Sequence, residues 1–131
     1  MPNFAVFPAR SVSVVDHLDS CVLATLQDVM EAEYPALLDT FLADSEERLH
    51  LLQNACRSDR AEDLRQAAHS FKGSCSNMGA ALLAELCRDL EEAARLEQLD
   101  EAPELIERIE REFAIVRILY RAERQRCGGP G

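Results

Sequence analysis

The 131-residue chain is poor in the residues that interrupt helices. It contains only five glycines and five prolines, it has no tryptophan, and aromatic residues make up 5% of it. Leucine, alanine, glutamate and arginine, which favour helices, are abundant instead. A chain of this length fits one domain with a single modest core. The composition therefore predicts an all-helical, single-domain protein.

Long apolar runs and an excess of basic residues are also missing. No run reaches membrane-spanning length, and Pro8 and Arg10 interrupt the apolar character of residues 4–15, so a cleaved secretion signal is not expected. The formal net charge of -10 opposes binding to nucleic acid or to an anionic membrane surface. We therefore expect a cytoplasmic protein with protein partners, without nucleic-acid or membrane binding.

The sequence contains neither a Cys-x-x-Cys motif nor a nucleotide-binding loop. The five cysteines are an odd number without a Cys-x-x-Cys pair, and most fall at apolar helical positions, so we expect reduced core thiols. No glycine-rich loop of the kind that binds ATP phosphates is present. We expect a protein without its own ATP site, which is not an enzyme in the usual sense.

Apolar residues at helical spacing predict the organisation of the chain. Residues 16–125 are predicted to form the helical domain, residues 1–15 an extended or disordered leader, and residues 126–131 a flexible tail. The connections between the long amphipathic helices are short, which favours antiparallel neighbours. The predicted fold is an all-α, antiparallel up-and-down four-helix bundle with an additional short N-terminal helix.

Residues typical of helix ends mark where these helices begin. Asp19 is the predicted N-cap of the short first helix, and Pro35 suits the first turn of the second. Asp59 followed by Glu62 resembles a capping box and is predicted to open the third helix. Whether Gly79 ends that helix or kinks it stays open at this point.

The third predicted helix has an apolar face and a polar face. The apolar sector consists of Leu64, Ala67, Ala68, Phe71, Cys75 and Met78. On the same helical wheel His69 lies about 140° from the centre of that sector, so it is predicted to face solvent, with Lys72 at its flank. A glycine in an exposed helix costs about 1 kcal/mol relative to alanine. Gly73, one turn after His69, therefore indicates clearance for an approaching molecule.

The order of residues on this helix resembles a known signature. His69, Lys72, Gly73, Ser74 and Gly79 resemble the His-x-x-Lys-Gly pattern of histidine-containing phosphotransfer (HPt) domains. The flanking segments Ala67-Ala68, Asn77-Met78-Gly79-Ala80, Leu86-Cys87 and Leu90-Glu91 also look like the family pattern. The resemblance covers roughly Leu18 to Tyr120 and implies the same helical bundle.

The resemblance implies a function and a site. His69 is the implied phosphoacceptor, with Nε2 the expected nitrogen, while Lys72 stabilises the phosphate and Gly73 gives access. A neutral imidazole is nucleophilic near pH 7 because its ordinary pKa is about 6.5. Gln66, Ser70 and Ser76 are assigned to the surrounding docking face by the helical wheel alone.

The implied protein is a phosphorelay intermediate of a two-component system. It accepts a phosphoryl group on His69 from the phosphoaspartate of a receiver domain and passes it to the receiver of another response regulator. The implied partners are receiver domains of hybrid sensor kinases and of response regulators. We expect no cofactor or metal on the chain itself, Mg²⁺ on the partner receiver, and a monomeric state.

Two other functions compete with this one. A helical adaptor or regulator would keep the bundle and act by binding alone, with the apolar residues Ile115, Ile118 and Leu119 as a partner surface. The Glu-x-x-His turn formed by Glu47 and His50 is part of a dimetal motif of helical bundles, but that motif needs a second such turn and two further inward glutamates. The remaining histidine, His17, is interpreted as a solvated loop residue.

Overall fold

A computed structural model describes residues 17–127 of the protein. In that range the chain forms five α-helices and two 3-10 turns, which confirms the predicted all-helical class. The helices are α1 (Ser20–Met30), α2 (Tyr34–Arg57), α3 (Ala61–Asn77), α4 (Ala81–Arg95) and α5 (Ala102–Arg126). The 3-10 turns are Glu31–Glu33 and Leu99–Glu101. The predicted leader, residues 1–15, and residues 128–131 of the predicted tail lie outside the described residues.

The four long helices pack as a bundle. Helix α3 packs against α2 and α4, and α5 closes the ring by packing against the same two neighbours. The turns between α2, α3 and α4 are only three residues long, so consecutive helices are antiparallel. Helix α1 is the additional short N-terminal helix, and the predicted fold is confirmed. None of the five described helices combines the length and apolarity that crossing a bilayer requires.

The core fixes the rotation of α3 about its axis. Leu64, Ala68, Phe71 and Cys75 are all fully buried on one side of this helix. Tyr120 of α5 lies at the same end of the core, packs against an aromatic ring of α2, and donates its hydroxyl to the carbonyl of Met78. Since rotating α3 would expose these side chains, its opposite face must point to solvent.

Three turns between the long helices share one geometry. The turn residues Asp59, Gly79 and Glu97 have φ values of 54°, 81° and 57°, in the left-handed region. In each turn, the residue after the left-handed one donates its backbone N–H to the carbonyl five positions earlier, as in a Schellman motif. At the end of α3 the Ala80 N–H lies 2.9 Å from the Cys75 carbonyl oxygen. Gly79 therefore ends the helix and does not kink it.

The predicted start of α3 is wrong in one respect. Asp59 does not cap α3, since this helix begins at Ala61 and its N-cap residue, Arg60, makes no side-chain capping bond. Asp59 instead completes the end of α2, where its left-handed backbone closes the turn. Aspartate tolerates this conformation better than most residues. The Glu62 carboxylate pairs with Arg65 rather than reaching back to the cap.

Asp19 ties α1 to the turn between α3 and α4. Its side-chain Oδ1 accepts from the backbone N–H groups of Cys21 and Val22, at 2.9 and 3.3 Å, so the predicted N-cap is confirmed. Its own N–H donates to the Gly79 carbonyl oxygen at 2.7 Å. The start of α1 and the end of α3 are therefore joined through two short backbone segments.

The interpretation of His17 as a solvated residue is wrong. Its side chain is only 12% exposed, and its Nδ1 lies 2.6 Å from Oε2 of Glu112, which is 5% exposed. Burial raises the pKa of Glu112, and the contact with His17 opposes that rise. The pair joins a residue three positions before α1 to the middle of α5.

Two glycine substitutions should have opposite effects on stability. A Cβ at Gly79 would lie 3.2 Å from the Asp19 carbonyl oxygen and from the Val22 Cβ, and φ is positive there. We expect Gly79→Ala to lower the free energy of unfolding by about 1–2 kcal/mol or more. Gly73 is helical with nothing within 4 Å of its Cβ position, so Gly73→Ala should raise that free energy by up to about 1 kcal/mol. Urea unfolding followed by circular dichroism measures both, and two shifts of the same sign would contradict this account.

Candidate functional site

His69 lies on the solvent-facing side of α3. Its side chain is 63% exposed, whereas Ala68 and Phe71 on the opposite side of the helix are fully buried. The predicted exposure of His69 is therefore correct, and it follows from the burial of the apolar sector. An exposed imidazole in the middle of a rigid helix is accessible to a second macromolecule without any opening of the fold.

One carboxylate on α4 contacts both basic groups of this face. Oε2 of Glu91 lies 2.9 Å from Nδ1 of His69, and Oε1 of the same side chain lies 2.7 Å from Nζ of Lys72. Glu91 is only 18% exposed, so its position is constrained by the surrounding helices. The carboxylate thus holds the imidazole and the ammonium side by side across the α3–α4 seam.

The environment of Glu91 favours its charged form. Partial burial raises the pKa of this carboxyl, but the contacts with Lys72 and His69 outweigh the burial and hold the pKa below its usual value. An ionised carboxylate accepts hydrogen bonds only, so the neutral imidazole must carry its proton on Nδ1. The lone pair of Nε2 then points away from Glu91, toward solvent.

The space next to His69 is open. No atom lies within 4 Å of the position that a Cβ on Gly73 would occupy. Between α1, α3 and α4 the surface continues into a groove of about 340 Å³, whose lining includes Val22, Lys72, Ser76 and Arg88. A partner can therefore approach the imidazole over Gly73 and contact a concave surface beside Lys72.

The other predicted docking residues are exposed on the same helix. Gln66 donates from its side-chain amide to Glu62 at 2.9 Å, and Ser76 lines the groove beside Lys72. The Ser70 hydroxyl accepts a hydrogen bond from Nη1 of Arg48 on α2. The structure thus brings Lys72 next to His69 through Glu91. Gln66, Ser70 and Ser76 lie around the histidine, and none of these three described residues forms a hydrogen bond with it. The roles of the six predicted site residues stay predictions: His69, Lys72, Gly73, Gln66, Ser70 and Ser76.

Glu91 and Arg48 are not among the residues predicted for the site. Both contact α3 from neighbouring helices, and Glu91 is 22 residues from His69 in the chain. The only sequence signal for Glu91 is its place in the Leu90-Glu91 segment, which resembles the HPt pattern without revealing a contact. Their contribution depends on how three helices pack, which helical periodicity alone does not determine.

The residues of the dimetal alternative are not in the bundle interior. Glu47 and His50 are both exposed on the outer side of α2, whereas the dimetal motif requires inward-facing ligands. Among residues 17–127 no group of three or more His, Cys, Asp or Glu side chains is arranged to hold a metal ion. The geometry therefore lacks the ligand set on which that alternative depends.

The structure thus places an exposed histidine, paired through Nδ1, on the surface of a four-helix bundle. Residues 36–119 match the family model described as the Hpt domain. The chain belongs to the Hpt domain family.

Two kinds of relative share much of the chain. It is 30% identical over 91 residues to the phosphorelay protein LuxU of Vibrio vulnificus strains YJ016 and CMCP6, and the match covers 68% of this chain and 79% of LuxU. Its structure is similar to the crystal structure of histidine-containing phosphotransfer protein B (HptB) from Pseudomonas aeruginosa PAO1. That match has a TM-score of 0.83 and 64% identity, and it covers 84% of this chain and 96% of HptB.

The depressed pKa of Glu91 predicts a pH-dependent contribution to stability. A carboxyl with a lowered folded pKa stabilises the protein above its unfolded pKa, near 4.5, and loses that contribution as the pH falls through the folded pKa. We expect Glu91→Gln to lower the free energy of unfolding by about 1 kcal/mol at pH 7. The gap between the two proteins should shrink as the pH falls below about 4.5. Urea unfolding at a series of pH values tests this, and a gap that widens on acidification would contradict it.

Proposed function

We propose that this protein is a phosphorelay intermediate that carries a phosphoryl group on Nε2 of His69. The observation that carries the proposal is the contact between Glu91 and Nδ1 of His69, since it leaves Nε2 as the free nucleophile on an exposed helix. Membership of the Hpt domain family supports a phosphotransfer function. Similarity to LuxU, a phosphorelay protein, and to HptB, a histidine-containing phosphotransfer protein, agrees with it.

The reaction needs little catalytic apparatus on this chain. The Nε2 lone pair attacks the phosphorus of an aspartyl phosphate on a receiver domain, and the bond from phosphorus to the aspartate oxygen breaks. The electron pair of that bond leaves with the aspartate carboxylate. Phosphoryl transfer depends chiefly on in-line positioning and charge stabilisation, and an Mg²⁺ ion expected on the partner receiver supplies part of that charge. The exposed face of α3 supplies the nucleophile and the access to it.

Glu91 has a specific part in this step. As Nε2 bonds to phosphorus, the imidazole ring gains positive charge while Nδ1 keeps its proton. The Glu91 carboxylate, 2.9 Å from Nδ1, offsets that charge as it develops. An interaction that strengthens on approach to the transition state accelerates the reaction, so Glu91 is a positioning and charge-stabilising residue.

Lys72 and Gly73 complete the proposed phosphoryl site. Lys72 places its ammonium on the α4 flank of His69, where Glu91 holds it at 2.7 Å, and the ammonium is proposed to bind phosphoryl oxygens. The open space over Gly73 is proposed to admit the receiver. Gln66, Ser70 and Ser76 are proposed to form part of the surface that the receiver covers.

The proposed partners are receiver domains of hybrid sensor kinases and of response regulators. The protein is proposed to act as a phosphoryl carrier that obtains its phosphate from a partner, because it has no glycine-rich nucleotide loop of its own. A cytoplasmic location and a monomeric state stay predictions.

Binding without phosphorylation remains the alternative. Ile115 and Ile118 of α5 are exposed large apolar side chains, at 40% and 68%, and they favour some contact on that helix. An adaptor that acts through α5 would not need His69, so substitution of the histidine separates the two functions.

Phosphorylation of His69 can be tested directly. We expect the wild-type protein to gain acid-labile phosphate when incubated with Mg²⁺ and a receiver domain phosphorylated by acetyl phosphate. His69→Gln should gain none, whereas His50→Gln, which removes an exposed histidine of α2, should be labelled like the wild type. Equal labelling of His69→Gln and wild type would contradict the proposal, and an unlabelled but folded wild type would favour the adaptor.

The role of Glu91 predicts a slower transfer in its amide variant. Glu91→Gln removes the charge that stabilises the ring, at a cost of about 1.4 kcal/mol in the transition state, so the rate should fall about tenfold. Asp89→Asn removes an exposed carboxylate from the same helix and should leave the rate unchanged. Rapid-quench measurement of phosphohistidine formation gives both rates, and equal rates for the two variants would refute the role of Glu91.

A further inference from the structure

Arg48 of α2 contacts the helix that carries His69 from the side opposite to Glu91. Its Nη1 donates to the hydroxyl of Ser70, the residue that directly follows His69. Lys72 occupies the other flank and pairs with Glu91 of α4. Two cations therefore border the proposed phosphoacceptor, one toward α2 and one toward α4.

The two cations differ in their ion-pair and hydrogen-bond partners. Lys72 already has a carboxylate partner, whereas no carboxylate among residues 17–127 forms an ion pair with Arg48. Nε of Arg48 is shielded from solvent and has no hydrogen-bond partner among the described residues. A shielded donor without an acceptor costs free energy, so the resting contact with Ser70 leaves the guanidinium incompletely satisfied.

A carboxylate is the group that the terminal Nη1 and Nη2 of this guanidinium bind most strongly. The planar guanidinium matches a carboxylate with two parallel hydrogen bonds, and such charge-assisted bonds are stronger than a bond to a neutral hydroxyl. With a net charge of -10, most of the surface of this protein repels carboxylates. An arginine that forms no ion pair among residues 17–127 is therefore a selective contact point for an acidic group of another molecule.

The position of Arg48 brings it within the footprint of any domain that docks over His69. A typical interface covers about 800 Å² on each partner, equivalent to a disc of about 16 Å radius. Ser70 is one residue from His69, and consecutive Cα atoms are about 3.8 Å apart. The guanidinium bonded to Ser70 lies well inside such a disc centred on the imidazole.

The surface beyond Arg48 continues in a form suited to contact. Helices α2 and α3 leave an open groove of about 530 Å³ between them, and its lining includes Leu51, Gln66 and Ala67. Leu51, one turn after Arg48 on α2, is 52% exposed. Arginine is enriched in protein interfaces whereas lysine is depleted, so an arginine near this groove is consistent with a contact surface.

We propose that Arg48, held in place by Ser70, is a receiver-recognition residue that donates hydrogen bonds to a carboxylate of the receiver domain docked over His69. The proposal rests on the proposed function, because it requires a receiver at this face. On docking, the guanidinium exchanges the Ser70 hydroxyl for the carboxylate, and its contribution is to binding rather than to the chemical step.

The test measures phosphotransfer as a function of receiver concentration. The probe is a purified receiver domain, phosphorylated by acetyl phosphate in the presence of Mg²⁺, which labels the wild-type protein. We expect Arg48→Gln to raise the receiver concentration at half-maximal rate about tenfold, equivalent to about 1.4 kcal/mol, with the rate at saturation changed less than about twofold. Arg48→Lys keeps the positive charge but lacks the planar guanidinium with its paired donors. It should therefore raise the half-maximal receiver concentration less than Arg48→Gln does.

The matched control is Arg108→Gln on α5, the helix diagonally opposite α3. Arg108 is exposed, and no ion pair to it exists among the described residues, so this variant makes the same change in net charge far from His69. The half-maximal receiver concentration of Arg108→Gln should match that of the wild type. The half-maximal concentration should also rise with salt in the wild type more steeply than in Arg48→Gln, since the variant lacks the charge that salt screens.

The outcomes separate this inference from the proposed function. The half-maximal receiver concentration of Arg48→Gln could equal that of the wild type, or rise only as far as that of Arg108→Gln. In either case the recognition role is wrong, while phosphotransfer at His69 stands. A lower saturating rate with an unchanged half-maximal concentration would also overturn the recognition role. If no phosphorylated receiver labels the folded wild type, the proposed function fails, and the recognition role fails with it.

Discussion

The contact of one carboxylate, Glu91, with two basic groups organises the functional face of this protein. Without Glu91, an exposed histidine on a helix would rotate among several conformers and exchange its proton between both ring nitrogens. With it, the imidazole has one orientation and one free nitrogen, and the ammonium of Lys72 is fixed beside it. The geometry proposed for phosphotransfer is therefore present before any partner arrives, so the binding energy of a partner need not be spent on ordering these groups.

This contact depends on the register between α3 and α4. The turn at Gly79 sets that register, because its left-handed backbone ends α3 and lets α4 begin at Ala81. The turn is held from two sides: the Asp19 N–H donates to the Gly79 carbonyl, and the Tyr120 hydroxyl donates to the Met78 carbonyl. Helices α1 and α5 thus support the geometry of the site, although neither carries the proposed nucleophile.

Features that depend on local pattern could be predicted from the sequence, whereas contacts between distant residues could not. The period of apolar residues on α3 was enough to predict that His69 faces solvent, and the HPt resemblance was confirmed by the family match to residues 36–119. Asp59 was misassigned because aspartate suits both a helix start and a left-handed helix end, and the following turn decides between them. His17 was misread because its partner Glu112 is 95 residues away, and Glu91 was missed because its role follows from helix packing.

The central claim is that Glu91 holds the neutral His69 with its proton on Nδ1 and leaves Nε2 free. The most direct measurement is the pair of imidazole ¹⁵N chemical shifts of His69, obtained from long-range ¹H–¹⁵N correlation spectra as the pH is raised until the shifts no longer change. We predict a protonated Nδ1 and an unprotonated Nε2 in the wild type, with the two forms averaging in Glu91→Gln. A wild-type spectrum dominated by the tautomer protonated on Nε2 would contradict the account.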